Sequence, residues 1–378
     1  MEFGAHCPGG TRKPVDVMDQ LDVGVIVLNW NGLQDTLACL ESIYDQKAVP
    51  RYVVLVDNGS SDGSVDGVHQ WLQTNRRFSA VESHEHGQSQ GSVREFELHR
   101  SEGSIGTGDT AVSPFRFVTI ENGANLGFAA GNNVAIRFLI RCQVKYVLLL
   151  NNDTVVVDEA FAILVRGMEQ SPECQCMVPQ IRYAGDPERI WNCGAQWTWL
   201  GMPRYNYAEA NISALEGVGP FAVEMVSGCA LIIRSSWLES HGILSERFFF
   251  GEEDIELSWR MRAMGKAAMF CWPQAVVYHK VGSSLTKRAD VGLLPKVYVG
   301  YLNRMIFLRG AWGNGLRWQA RRLLLHAWFS WKMIAKMGMS PRDAARVVRD
   351  FARDSVEMNG VDAGFFHYLM NEKFKAAG

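Results

Sequence analysis

The chain has 378 residues, of which 47% are hydrophobic, enough apolar material for a large core and too much for a disordered protein. Its 38 Lys and Arg nearly balance 40 Asp and Glu, and a formal charge of -2 gives no electrostatic case for a nucleic-acid partner. No run of about 18 uncharged apolar residues occurs, which predicts no membrane span.

Residues 1–21 carry Pro, Gly and charge without the apolar centre of a signal peptide, and read as a disordered extension. Val23 to Leu28 is a short apolar run, predicted as a buried strand and broken by Asn31 and Gly32. Leu33, Leu37, Leu40 and Tyr44 then recur at helical spacing. Tyr52 to Val56 predicts a second buried strand, followed by a turn rich in Asp, Asn and Gly and a helix through Val65, Val68 and Leu72. Residues 82–114 are rich in Ser, Gly, His and Glu and read as a flexible surface insertion, with His84-x-His86 as a solvated pair. Strand-like sequence resumes at Phe117 to Ile120, a helix carries Phe128, Ala135, Ile136 and Leu139, and Tyr146 to Leu150 is the most continuous buried strand.

A helix through Phe161, Leu164, Val165 and Met168 follows, and this alternation predicts an open, mostly parallel α/β sheet with helices on both faces. Residues 181–221 are irregular and rich in Trp and Tyr, suited either to stacking on a sugar ring or to an ordinary aromatic core. Strands are expected at Val223 to Val226, Ala230 to Ile233, Ala267 to Phe270 and Ala275 to Tyr278, and a helix at Glu253 to Met264. From Leu316 the tail is helical, with eleven Lys and Arg against six Asp and Glu. Its mixture of Trp, Leu and basic residues suits a helix lying on an anionic bilayer, and equally a helix packed on the catalytic domain with a solvated basic face.

The eight cysteines, Cys7, Cys39, Cys142, Cys174, Cys176, Cys193, Cys229 and Cys271, contain no C-x-x-C pair. The spacing of Cys174, Cys176 and Cys193 fits no zinc pattern, so these read as reduced, mostly buried thiols of a cytosolic protein.

Four residues sit where chemistry is expected in such a sheet, just beyond a strand's last apolar position or at a helix start. Asp57 follows Val53 to Val56, Asp153 follows Leu148 to Leu150 by two asparagines, His279 follows Val276 to Tyr278, and Asp254 opens a helix. Each alone is as readily a cap or a turn residue. Together they offer a carboxylate and an imidazole for a divalent cation, plus spare carboxylates. No G-x-x-x-x-G-K-[ST] loop exists, and Gly123, Gly127 and Gly131 do not form the dinucleotide pattern, so a diphosphate would rely on a metal ion.

Four blocks resemble a known family. They are Val25-Ile26-Val27-Leu28-Asn29-Trp30-Asn31-Gly32, then Val56-Asp57-Asn58-Gly59-Ser60-Ser61-Asp62-Gly63-Ser64, then Glu121-Asn122 through Asn125-Leu126-Gly127-Phe128-Ala129-Ala130-Gly131-Asn132 to Leu150-Asn151-Asn152-Asp153, and last Phe249 to Arg260 with Val277 to Ser284. In this order they are similar to the family 2 glycosyltransferases of the GT-A fold, most of all the bacterial rhamnosyltransferase branch, over about residues 23–309. The resemblance implies a glycosyltransferase domain over 22–290, and the composition of the tail adds a helical region over 291–378 that suits a membrane surface. It implies an inverting transfer of a sugar, with rhamnose from dTDP-rhamnose as the leading donor, to a glycan or lipid-linked glycan. The expected location is the cytoplasm or the inner face of the cell membrane.

The resemblance also implies site residues. Donor binding falls to Asn29, Asn31, Asp57, Asn58, Asn125, Gly127, Asn132, Asn151 and Asn152, with Asp57 on the nucleobase or ribose. Asn151-Asn152-Asp153 stands in for the D-x-D motif, with Asp153 and His279 holding Mg²⁺ or Mn²⁺. Glu253-Asp254 supplies the catalytic base, with Asp254 favoured, and Gly228, Trp259 and Arg260 lie on the acceptor side. Glu256 falls about 200° around the helix from Asp254 and is set aside as a base. Two departures stand out: Asn151 replaces a carboxylate, and Tyr301-Leu302-Asn303-Arg304 lacks the Arg that usually precedes this segment. Two other classes compete. A nucleotidyltransferase would need positive charge in the segment Asn29 to Gly32, where there is none, and a non-catalytic sugar-binding relative would be expected to lack the set Asp153, Asp254 and His279.

Overall fold

The apolar run that opens the sheet is buried on both faces because a helical layer packs on each. In the computed structural model, which describes residues 20–75, 78–87, 92–100, 115–265, 268–281, 293–313 and 315–374, it forms β1 (Gln20–Asn29). The expected N-terminal extension, Cys7, residues 101–114 and the Gly282-Ser283-Ser284 end of the last motif lie outside the described residues. After β1 come α1 (Leu33–Tyr44), β2 (Val49–Asp57), α2 (Ser64–Thr74), β3 (Phe78–Gly87), β4 (Ser92–Arg100), β5 (Phe115–Glu121), α3 (Phe128–Arg141), β6 (Tyr146–Asn151), β7 (Thr154–Val156) and α4 (Ala160–Gln170). Then follow β8 (Cys176–Tyr183), β9 (Asp186–Asn192), β10 (Ala195–Trp197), β11 (Pro203–Tyr205), β12 (Phe221–Ala222), β13 (Ala230–Arg234), α5 (Ser235–His241), α6 (Glu253–Arg262) and β14 (Met269–His279). The chain ends in four helices, α7 (Leu293–Trp312), α8 (Leu316–Met337), α9 (Pro341–Glu357) and α10 (Ala363–Asn371).

The sheet runs β12-β14-β8-β13-β6-β1-β2-β5-β4-β3, with β7 paired to β14 and β9 to β8. Strands β6, β1, β2 and β5 are mutually parallel, and β13 joins them antiparallel to β6. The chain steps outward from β1 to β2 to β5, then returns to lay β6 on the other side of β1. That reversal leaves a crevice beyond the carboxyl ends of β1 and β6, where open α/β sheets bind ligands. Helices cover both faces, so the chain forms the expected sheet with a parallel core and an added C-terminal helical region, while antiparallel strands extend that core on either side.

The strand expected at Val223 to Val226 is only an isolated bridge from Met225 to Ala195, following β12. Two further stretches differ from the sequence reading. The segment expected as a flexible insertion contains β3 and β4, which extend the sheet by antiparallel pairing onto β5. Phe96 and Leu98 enter one core layer and Val93 the other, while Glu95 pairs with Arg116 across the ladder at 2.6 Å. Three apolar residues among charged ones leave little periodic signal, but a strand beside an existing strand needs no more than this. The side chains of His84 and His86 lie outside the described residues. Second, the two short strands expected around Pro273 are one strand, β14, whose register against β8 slips between Trp272 and Val276, where proline cannot donate to the ladder.

The C-terminal helices are not appended to a finished domain. Phe248, Phe249 and Ile255 share a core cluster with Tyr298, Leu302, Phe329, Phe351 and Phe366. The backbone seals the join: Phe249 N–H donates to Val361 O at 2.7 Å and Val361 N–H to Arg247 O at 2.9 Å. A Cβ at Gly360 would lie 2.2 Å from Arg247 O, so only glycine permits this approach. Among the described residues no helix is long and apolar enough to cross a membrane. The seven described cysteines are free thiols, all buried except the half-buried Cys142. Burial pushes the Cys174 thiol up to about 11 and the Cys176 thiol well above its ordinary value, which opposes the thiolate a metal cluster would need.

Candidate active site

Register brings the ends of three strands together. Asn29 pairs with Asp57, and Leu28 with Asn151. The buried Asn29 amide donates to Asp57 Oδ1 and to Ser60 Oγ, both at 3.0 Å, and its oxygen accepts from Thr36 Oγ1 at 2.9 Å and Asn152 Nδ2 at 3.2 Å. Asn58 is tied down as tightly. It donates to Asn125 Oδ1 at 2.9 Å and Gly127 O at 3.1 Å and accepts from Asn122 and the Leu126 N–H. These side chains hold the loops after β1, β2 and β5 in fixed relation. At Gly127 the backbone has φ +85°, and a Cβ would meet Phe249 O at 2.3 Å, so the loop before α3 needs glycine there.

The loops enclose a cavity of about 440 Å³. Trp30, Asn58, Asn125, Gly127, Asn151, Asn152, Asp153 and His279 line it, and Phe366, His367 and Met370 of α10 close it from the C-terminal region. Asp153 precedes β7 and His279 ends β14, two strands that pair so that His279 lies opposite Thr154. Both side chains are buried, and His279 Nε2 lies 3.2 Å from Asp153 Oδ1. The ring packs edge-on to Trp191, with centroids 4.7 Å apart, and its Nδ1 has no hydrogen-bond partner. A buried carboxylate, an imidazole with an unpaired ring nitrogen and the nearby side-chain amides of Asn151 and Asn152 form a donor set that fits a divalent cation, with other positions left to ligand oxygens.

Trp191 also lines a second cavity of about 220 Å³ with Tyr205, Ser227, Glu252, Asp254 and Arg304. Glu252 is the residue before α6, with φ +80°, and its buried carboxylate pairs with the Arg304 guanidinium, which also donates to Gly201 O at 3.0 Å. Burial raises the Glu252 carboxyl above the usual range, while Arg304 opposes that rise. Asp254, in the first turn of α6, accepts from Gly228 N–H at 3.0 Å and Ile255 N–H at 2.8 Å. Burial raises its carboxyl too, while those N–H groups and Arg304 favour the ionised form. Among the described residues, Glu253 is supported only by its own N–H and that of Gly251, and faces no cation. Burial and the neighbouring Asp254 charge push it up to about 8, and its Oε2 has no partner. These surroundings favour the protonated form of Glu253 and make Asp254 the better-supported carboxylate.

The other residues singled out fall into two groups. Asn58, Asn125, Gly127, Asn151, Asn152, Asp153 and His279 line the first cavity. Asn29, Asn31, Asp57 and Asn132 lie behind it: Asn31 accepts from Ser61 N–H, Asp57 from Ser60 N–H, and Asn132 donates to Phe128 O. Gly228 lines neither cavity, but its N–H donates to Asp254, which lines the second. Trp259 and Arg260, expected on the acceptor side, line neither cavity. Trp259 packs between Trp197 and Phe307, and the Arg260 guanidinium is committed to Glu256 and to the carbonyls of His241, Gly242 and Ile243. Sequence reasoning missed Tyr205 and Glu252 as partners of Asp254. It also missed the α10 wall, which follows the last motif by some eighty residues and carries no local signal.

No protein-family model matches the chain, and no curated protein matches it. Among solved structures it resembles GalNAc-T7, determined with UDP, GalNAc and Mn²⁺, at a TM-score of 0.51 and 13% identity over 95% of this chain. The chain spans 57% of the length of GalNAc-T7. The fold is of the GT-A type. The mannosyltransferase PcManGT from Pyrobaculum calidifontis, in complex with GDP-Man and Mn²⁺, matches at a TM-score of 0.47 and 16% identity, covering 95% of this chain and 88% of that one. TarS of S. aureus matches at 0.46 and 13%, covering 82% and 43%.

Proposed function

We propose that the chain is a metal-dependent, inverting glycosyltransferase that moves a sugar from a nucleoside diphosphate to an acceptor hydroxyl. The observation that carries this reading is the pair of cavities divided by Trp191, with Asp153 and His279 in one and Asp254 in the other. A diphosphate donor suits the larger cavity, where Asp153 and His279 would hold Mg²⁺ or Mn²⁺. When bound, the ion supplies positive charge to offset the departing diphosphate. The aromatic walls and the Asn58, Asn125 and Asn152 amides orient the nucleoside and sugar. An acceptor in the smaller cavity presents its hydroxyl to Asp254, which takes the proton as the oxygen bonds to the anomeric carbon. The bond from that carbon to the diphosphate oxygen breaks on the opposite face, so configuration inverts. The sequence motifs support rhamnose as the sugar, dTDP as the nucleotide and a polysaccharide or lipid-linked glycan as the acceptor.

A donor screen tests this reading. Purified protein with Mg²⁺ or Mn²⁺ is offered common nucleotide sugars, and nucleoside diphosphate release is measured. We expect turnover with one sugar class, dTDP-rhamnose leading. Excess chelator should abolish it, and Asp153→Ala should lower it by about a hundredfold or more. Undiminished turnover in chelator, or in Asp153→Ala, would overturn the metal assignment.

A further inference from the structure

The two long faces of α8 have different surroundings. Trp318, Leu325, Phe329 and Met333 are buried in the core shared with α7 and α9. The opposite face is apolar as well, yet no described residue covers it. Leu316, Leu323, Leu324, Trp328, Trp331 and Ile334 are between 37% and 90% exposed. Their spacing places them on one stripe about 27 Å long, and alanines at 320, 327 and 335 fill its gaps. Arg317 and Lys336 are the only exposed polar residues of the helix. An apolar surface of this kind, broken only by Arg317 at its N-terminal end, marks a contact face.

The charge on α8 selects the partner. The helix carries Arg317, Arg321, Arg322, Lys332 and Lys336 and no Asp or Glu. Arg321 lies over the Trp312 ring at 4.4 Å, and Lys332 donates to Tyr301 at 3.3 Å, so their stems lie beside the stripe rather than on it. We propose that this face docks on an anionic lipid bilayer. The helix lies in the plane of the interface, with the stripe in the acyl boundary, Trp328 and Trp331 at headgroup depth and the basic residues among the phosphates. Pairing with a second copy is disfavoured, because the helix has no carboxylate to meet the opposing Arg and Lys. The proposal does not depend on the transfer reaction.

Flotation of the full chain with vesicles tests it. Phosphatidylcholine vesicles containing about a third phosphatidylglycerol should carry the protein upward at low salt, and at least tenfold less should float at high salt or with phosphatidylcholine alone. The exposed pair Leu324→Glu and Trp331→Glu should cut binding at least tenfold while melting and donor turnover in solution stay near parental. If that pair misfolds, Leu323→Ser with Ile334→Ser gives the same reading. Failure of the parental protein to float with anionic vesicles would overturn the proposal, as would floating by a folded variant to the parental extent. A parental dimer that the variants convert to monomer would instead assign the face to a second copy.

Discussion

Glu253 and Asp254 are neighbours in sequence and opposites in surroundings. Asp254 is met by two backbone N–H groups and lies in the field of Arg304, whereas Glu253 is buried with an unpaired oxygen. Asp254→Asn keeps the size and much of the hydrogen bonding but cannot accept a proton. It should leave donor binding near normal and cut turnover by about a hundredfold or more, read from kcat and donor Kd. Normal turnover in Asp254→Asn with a dead Glu253→Gln would reverse the assignment. Glu253 also makes a stability prediction. Its folded carboxyl titrates at about 8, above its ordinary 4.5, so the folded state holds the extra proton across that interval. Its contribution is therefore present at low pH and lost as pH rises through about 8. Glu253→Gln should flatten the fall in melting midpoint across this window, and an unchanged slope would show that Glu253 is ionised in the fold. The principal acidic residues were legible in the sequence because each follows a strand or opens a helix. Arg304 and Tyr205 were not, because their link to Asp254 spans about fifty residues on either side and depends on how α7 and β11 pack.

At the level of elements, strands with continuous apolar runs were legible and β4 was not. A strand whose two faces are both covered by helices must be apolar on both, as in β1 and β6. β4 lies one strand from the sheet's edge, so it can carry Arg94, Glu95 and Glu97 among its few core residues. Phe96 is nevertheless buried, packed near His69 and Phe117. Truncating a buried Phe loses its transfer energy and leaves a cavity, so Phe96→Ala should cost about 3 kcal/mol in urea unfolding. A loss below about 0.5 kcal/mol, the value for a surface site, would return this segment to the status of a dispensable loop.

The whole molecule unites what the sequence motifs divide. The motif-bearing sheet and the helices from residue 293 onward meet through Phe248 and Phe249, and α10 closes the larger cavity. A second lock lies inside the helical region. Asp354 on α9 accepts from Tyr298 of α7 at 2.7 Å and from Lys373 beyond α10 at 2.8 Å, with Asp354 buried and the Lys373 side chain only 9% exposed. Burial alone would raise the Asp354 carboxyl, but Lys373 and Tyr298 hold it below the usual range. Asp354→Ala leaves the Lys373 ammonium buried without its partner, so it should destabilise the fold by about 3 kcal/mol. Because α10 is both anchored by this network and part of the cavity wall, the loss should not remain local. Unfolding followed by far-ultraviolet circular dichroism and by loss of nucleotide binding should give coincident transitions in the parental protein. Both should shift together in Asp354→Ala. Two separated transitions, with nucleotide binding surviving after the helical region has melted, would mean that the sheet forms its site alone.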